Sequence, residues 1–172
     1  MAQYDLLVIG SGPAGQKAAV QAAKLGKKVG IIERKTVVGG VSTNTGTIPS
    51  KALREAVLYL SGFRQRNLYG AGYRLKETVT IEDLAFRANH IIKNEIEIVE
   101  DQMARNRIDL IHGVARFVDP HRLLIQQAGT STNHFAHVIV IAVGTEPSRP
   151  ADVPFNERTI IDTDGLITLK HL

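Results

Sequence analysis

The sequence predicts an α/β fold, with a parallel sheet, flanking helices and a small antiparallel β-meander. Three observations predict it. A short apolar run, Leu6-Leu7-Val8-Ile9, leads straight into a glycine-rich turn, an Ala-rich stretch and a second apolar run ending at Ile32. Strand, turn, helix and strand in about 30 residues form a βαβ unit, whose crossover helix makes the two strands parallel. A long stretch after Thr80 places apolar residues at helical spacing, and three shorter runs after Val114 alternate between turn residues.

Taken in order, Leu6–Ile9 reads as a strand buried on both faces, because it is continuously apolar and β-branched at its end. Gly10-Ser11-Gly12-Pro13-Ala14-Gly15 reads as a tight turn, Gln16–Leu25 as a helix stopped by Gly26, and Val29–Ile32 as the second strand, with Glu33 at its end. A loop, Gly39 to Lys51, is followed by a helix from Ser50 to Leu60 and a connection over residues 61–79. Thr80-Ile81-Glu82-Asp83 resembles a capping box with a short acid in its third position, opening a helix to about Asn106. Its apolar stripe (Leu84, Ile91, Ile92, Ile96, Val99, Met103) reads as core. Ile108–Ile111 is a third strand. Val114–Val118, Leu123–Gln126 and the run from Phe135 form the meander, Val138–Ile141 is a further buried strand closed by Gly144, and Thr163–Lys170 is a last short helix.

Composition narrows the chemistry. The 172 residues are 44% apolar and 22% charged, as in an ordinary soluble domain. The net charge is +4, with the basic residues scattered, which reads as solvated surface and not as a nucleic-acid stripe. There is no cysteine, so disulfides, Cys-ligated zinc and thiol catalysis are excluded for this chain. The six histidines show no metal-ligand spacing, so no metal is expected. No apolar run approaches the ~20 residues of a membrane span, and no signal-like segment precedes the first strand, so a cytoplasmic location is the expectation.

The chemistry sits in the Gly-x-Gly-x-x-Gly turn. It follows a strand and opens a helix, the context a dinucleotide needs. Gly10 permits the tight turn, Gly12 lets backbone approach a pyrophosphate, and Gly15 lets the helix pack close to the sheet. The helix start offers N–H groups and a partial positive charge to phosphate. Glu33, 18 residues beyond Gly15, can accept hydrogen bonds from both ribose hydroxyls and would repel a 2′-phosphate. This pattern by itself does not separate NAD from FAD.

The loop extends the pattern. Gly10–Gly15, Glu33-Arg34, the Gly39-Gly40 pair, Gly46-Thr47-Ile48-Pro49-Ser50-Lys51, Gly113–Phe117 and Ile141–Thr145 together resemble the pyridine nucleotide–disulfide oxidoreductases, over nearly the whole chain. The resemblance implies a Rossmann-like FAD-binding domain over residues 1–150, incomplete relative to the family, and a connecting segment over 151–172 leading toward an NAD(P)-binding domain. It also implies FAD as cofactor, NAD(P)H as substrate of the full-length parent, and a homodimeric parent.

That family usually carries Cys-x-x-x-x-Cys in this loop; here Ser42 and Thr47 occupy those positions, and hydroxyls cannot undergo two-electron dithiol exchange. The loop and the stretch from Lys51 to Val57 are most similar to the soluble pyridine nucleotide transhydrogenases, in which the thiol pair is incomplete and hydride passes between NADPH and NAD⁺ by way of FAD. Ser42 departs even from these, since one cysteine is expected there. By resemblance, Gly10, Ser11, Gly12, Pro13, Ala14 and Gly15 hold the pyrophosphate and Glu33, with Arg34 beside it, the adenosine ribose. Gly39 and Gly40 allow close backbone approach, Ser42 and Thr47 face the flavin as inert hydroxyls, and Lys51 lies near flavin N5. Ala115 offers backbone groups to adenine, and Ala142 and Gly144 line the pyrophosphate. No catalytic residue is assigned within the chain. Two other readings stay open: a stand-alone or engineered FAD- or adenine-nucleotide-binding module without turnover, and a thiol-free segment of a lipoamide dehydrogenase-like enzyme.

Overall fold

The computed structural model describes residues 2–127 and 129–169. Among them it has the strands β1 (Ala2–Ile9), β2 (Val29–Glu33), β3 (Asp109–His112), β4 (Val114–Asp119), β5 (Arg122–Gln127) and β6 (Thr130–Ile141). The helices are α1 (Pro13–Lys24), α2 (Gly40–Asn44), α3 (Thr47–Leu60), α4 (Arg66–Tyr69), α5 (Ile81–Arg105) and α6 (Thr163–Thr168), with a 3₁₀ turn at Phe63–Gln65. The chain forms two compact units. One comprises the segment up to Val41 with Glu95–Thr145; the other comprises Ser42–Asn94 with the segment from Glu146 onward.

The first unit holds a six-stranded sheet in the order β3-β2-β1-β6-β5-β4. β3, β2, β1 and β6 run parallel, with Leu7 opposite Gly30 and Ile139. β6, β5 and β4 run antiparallel. The meander is therefore part of the main sheet. β6 is one strand where the sequence suggested two: its first half pairs with β5, and from His134 it also pairs with β1. The run from Phe135 and the strand Val138–Ile141 are continuous, and the strand begins earlier, at Thr130, since no Gly or Pro interrupts residues 130–141.

One face of the sheet packs Leu6, Val8, Val29 and Ile31 against Ala19 of α1 and against Val99 and Met103 of α5. A second core gathers Tyr4, Leu7, Ile32, Leu123, Ile125 and Ala136, so meander residues cover parallel-strand residues. Gly30 lies beneath this core. A Cβ there would come within 2.8 Å of Leu7 and 3.1 Å of the Tyr4 ring. Burial first, and then a hydrogen bond to Asp109 of β3, push the Tyr4 hydroxyl up to about 12. The buried strand expected at Val138–Ile141 is not buried: Val138 and Ile141 are exposed, and Ile139 and Val140 are only half-buried at the edges of the two cores.

In the second unit, α3 starts at Thr47, ahead of the expected Ser50, and the predicted connection over 61–79 contains the 3₁₀ turn and α4. α6 is capped by Asp162, whose Oδ1 accepts from the Gly165 amide at 2.8 Å, and its predicted end at Lys170 lies outside the described residues. The capping box of α5 forms reciprocally. The Thr80 amide donates to Asp83 at 2.9 Å, and the Asp83 amide donates to Thr80 Oγ1 at 3.3 Å. The Lys76 ammonium, with the Thr80 bonds, lowers the Asp83 carboxyl to about 2. Its contribution is fully present above the ordinary value of 3.8 and is lost as pH falls toward 2. Thr80→Ala is expected to remove about 1 kcal/mol of stability, and Asp83→Asn to remove the share of the acid dependence that this carboxyl carries, both read by melting curves from pH 2 to 6. No helix among the described residues is long and apolar enough to cross a membrane.

Candidate functional site

The site grows from the end of β1. Gly10 has φ +107, in the region open to glycine, and its amide donates to the Ile32 carbonyl at 2.8 Å. A Cβ at Gly10 would lie 2.3 Å from the Ala142 carbonyl oxygen, and one at Gly15 would lie 2.0 Å from the Gly10 carbonyl oxygen. These two glycines are required by the protein's own packing. Gly12 is different. Its backbone is extended (φ −68, ψ 177), and a Cβ would meet nothing closer than the Gly40 Cα at 3.9 Å. The protein alone tolerates a side chain here, so the space above Gly12 is free for a ligand.

Pro13 opens α1, where its missing N–H costs nothing, and Gly12 caps the helix without a side-chain bond. Pro13 and Ala14 are exposed and Gly15 is buried. The α1 start therefore offers amide donors and a partial positive charge with no acidic side chain in the first turn.

Glu33 ends β2 and is buried. Its Oε2 accepts from the Ser11 hydroxyl at 2.5 Å and the Ser11 amide at 3.1 Å, and its Oε1 accepts from the Lys35 amide at 2.9 Å. Burial alone would raise this carboxyl. The bonds from the Ser11 hydroxyl and from the Lys35, Ser11 and Arg34 amides outweigh burial and hold it below its ordinary 4.5. The group is thus a fixed carboxylate at neutral pH.

The Gly39 amide donates to Ser11 Oγ at 3.1 Å. Gly40, at φ +61, passes so close to Gly12 that a Cβ would sit 2.8 Å from the Gly12 Cα. Close approach at Gly40 is thus used between two stretches of the protein's own backbone. Beyond Glu33, the exposed Arg34 lines a surface cavity of about 400 Å³ with Lys35, His112, Gly113, Gln126 and Gln127 among its other walls. The chain enters β4 there, with the Gly113 amide bonded to the Glu33 carbonyl at 2.8 Å. Ala115 turns its methyl into the second core and is half-buried. The Ala142 amide donates to the Ile9 carbonyl at 2.8 Å, closing the sheet beside the turn. Gly144, at φ +72, is exposed, with open space around it.

Gly10, Ser11, Gly12, Gly15, Glu33, Gly39, Gly40 and Ala142 are thus brought together by direct contacts. Ser42, Thr47 and Lys51 belong to the second unit. Thr47 and Lys51 are exposed at the start of α3, Ser42 is partly buried in α2, and Thr45 Oγ1 between them is buried without a hydrogen bond. Sequence reasoning missed His112, Gln126 and Gln127 as cavity walls. No local pattern marks them; only the pairing of β2 with β3 and of β4 with β5 brings them to Glu33. No cluster of His, Asp or Glu able to hold a metal occurs among the described residues.

Chemically, this arrangement can take an anion at an unobstructed helix start and hydroxyl groups at an ionised acid one strand away. The soluble pyridine nucleotide transhydrogenases of Mycobacterium bovis (strain BCG / Pasteur 1173P2) and Mycobacterium tuberculosis (strain ATCC 25177 / H37Ra) are each 53% identical to this chain over all of its length. That of Colwellia psychrerythraea is 38% identical over 98% of it. The chain spans about 37% of the mycobacterial relatives' length and 36% of the Colwellia protein's. Among solved structures, the Cu(II) complex of the HOCl-induced flavoprotein disulfide reductase RclA from Escherichia coli aligns over the whole chain and 36% of its own, with TM-score 0.79 and 26% identity. The family described as pyridine nucleotide-disulphide oxidoreductase matches residues 4–171, and the chain belongs to that family.

Proposed function

We propose that this chain is the FAD-binding N-terminal portion of a soluble transhydrogenase-type flavoprotein, whose whole form passes hydride between NADPH and NAD⁺. The observation that carries the reading is Gly12. The protein's own packing does not require a glycine there, yet it caps an unobstructed helix start beside an ionised, buried Glu33. The residues fit an adenine dinucleotide. Gly10–Gly15 and the first turn of α1 would hold the pyrophosphate, with Ala142 and Gly144 along its edge. Glu33 would hold the adenosine ribose. The cavity walled by Arg34, His112 and Gly113 would take the adenine, with the backbone at Ala115 nearby in sequence. When bound, FAD supplies two-electron chemistry.

Residues 1–150 are read as the FAD-binding domain and 151–172 as the connection toward an NAD(P)-binding domain. Flavin-facing roles for Ser42, Thr47 and Lys51, a homodimeric parent and a cytoplasmic location rest on the resemblance to the transhydrogenases. The absence of cysteine favours this branch over the disulfide reductases, because positions 42 and 47 cannot form a dithiol.

The test is spectroscopic. Purified chain incubated with FAD and freed of excess is expected to be yellow, with an absorbance band shifted from that of free flavin. A colourless protein that leaves the flavin spectrum unchanged contradicts the reading. Anaerobic NADH added to the whole protein is expected to bleach the flavin, and NADP⁺ to restore its colour; an unbleached flavin favours a binding module without turnover.

A further inference from the structure

Ser11 occupies the variable position inside the glycine turn, where the motif asks for no particular side chain. It is fully buried, and every polar atom of its side chain is committed. The hydroxyl proton goes to Glu33 Oε2 at 2.5 Å and a lone pair receives the Gly39 amide at 3.1 Å. Its own amide goes to the same Oε2 at 3.1 Å. One small side chain therefore ties together three separate segments: the turn after β1, the acid ending β2, and the start of the Gly39-Gly40 turn.

We propose that Ser11 is a positioning residue, whose buried hydroxyl orients the Glu33 carboxylate for ribose hydroxyls and couples that grip to the Gly39-Gly40 turn. Two lines of argument support this. A carboxylate offers about four acceptor directions. The Ser11 hydroxyl and amide both bind Oε2, the Lys35 amide binds Oε1 and the Arg34 amide adds a further backbone bond, so the carboxylate is held in one orientation, with Ser11 supplying its only side-chain donor among these. Without Ser11 Oγ the carboxylate loses its shortest bond, one of those that fix its last, soft torsion, and the Gly39 amide loses its acceptor. The charged groups beside Glu33 are Arg34 and Lys35 in its own chain segment. His112 of β3 stands in register with it, and the first turn of α1 contributes no titratable side chain. The Arg34 and Lys35 amides also hold the carboxylate, but the bond that ties it to the Gly39 amide runs through the Ser11 hydroxyl.

The inference rests on the FAD reading for its ligand arm and has a ligand-free arm of its own. Two variants are compared with wild type. Ser11→Ala removes the hydroxyl. Ser11→Cys keeps a side chain of similar size with only a weak donor, and it carries the test if the Ala variant fails to fold. In the ligand-free chain, carbon NMR of labelled Glu33 is expected to show its titration midpoint moving upward in both variants, with exchange of the Gly39 amide faster by about tenfold. With FAD, affinity is expected to fall about tenfold at neutral pH, and further at pH 5 as the released carboxyl protonates. An unmoved Glu33 midpoint with unchanged Gly39 exchange overturns the proposal, as does a Cys variant that matches wild type in all three readouts. If wild type binds no FAD, the functional reading fails by itself, and the Glu33 and Gly39 readouts alone decide the role of Ser11.

Discussion

Gly12→Ala is expected to fold and to melt within about 1 kcal/mol of wild type, yet to weaken FAD binding by roughly a hundredfold or more. Gly15→Ala is expected to do the opposite in kind: it should destabilise the fold by ~3 kcal/mol or more, with loss of binding following from loss of structure. The two residues belong to one motif and look equivalent in sequence. A methyl at Gly15 would sit 2.0 Å from a backbone carbonyl oxygen and 3.1 Å from Val8, and no rotamer relieves a backbone clash. A methyl at Gly12 meets only Gly40 at 3.9 Å, an ordinary contact, and the backbone there is in a region any residue adopts. What that methyl would fill is the approach to the α1 amides. Thermal melts and FAD titrations on the two variants separate the roles. A Gly12→Ala protein that binds FAD as wild type does would show that the approach is not used.

Glu33→Gln is the second variant with a large expected effect. The Ser11 hydroxyl and the Ser11, Lys35 and Arg34 amides all aim donors at the carboxylate. A glutamine must turn its own N–H₂ toward at least one of them, leaving a buried donor unpaired. The expected costs are about 1–3 kcal/mol of stability and, through the lost charge-assisted bonds to ribose, about a 10- to 100-fold loss of FAD affinity. Because the folded Glu33 carboxyl sits below its ordinary 4.5, its contribution is fully present above that value and is lost as pH falls through the lower folded value. Glu33→Gln should remove that part of the acid dependence, which stability measured between pH 3 and 7 would show. An unchanged acid limb would mean that Glu33 is not held as described.

The glycine turn with its acid was legible because its requirements are local. Gly15 answers to Val8 and to the Gly10 carbonyl within the same βαβ unit, and Glu33 follows at a spacing set by one helix and one strand, whereas the contact of Gly10 with Ala142, far along the chain, needed the sheet order. α5 was legible for the same reason, having both a long apolar period and a capping box. The short helix Gly40–Asn44 was not, because five residues carry too little periodicity and begin on a glycine at positive φ. β6 was read as two strands because it has two partners: it pairs antiparallel with β5 in its first half and parallel with β1 in its second, so its burial pattern changes along its length. The cavity walls at His112, Gln126 and Gln127 come from strands about 80 residues and more beyond Glu33 and meet it only through sheet order. Ser11 could be read as a turn residue, but its bonds to Glu33 and Gly39 required the three-dimensional arrangement.

The most direct test of the central claim is an amide-resolved NMR titration of the wild-type chain with FAD. The account predicts saturable shifts concentrated at residues 10–15, at Glu33 and Arg34, and at the 142–144 segment. Saturable binding that leaves those amides unmoved, with the fold intact, would contradict it.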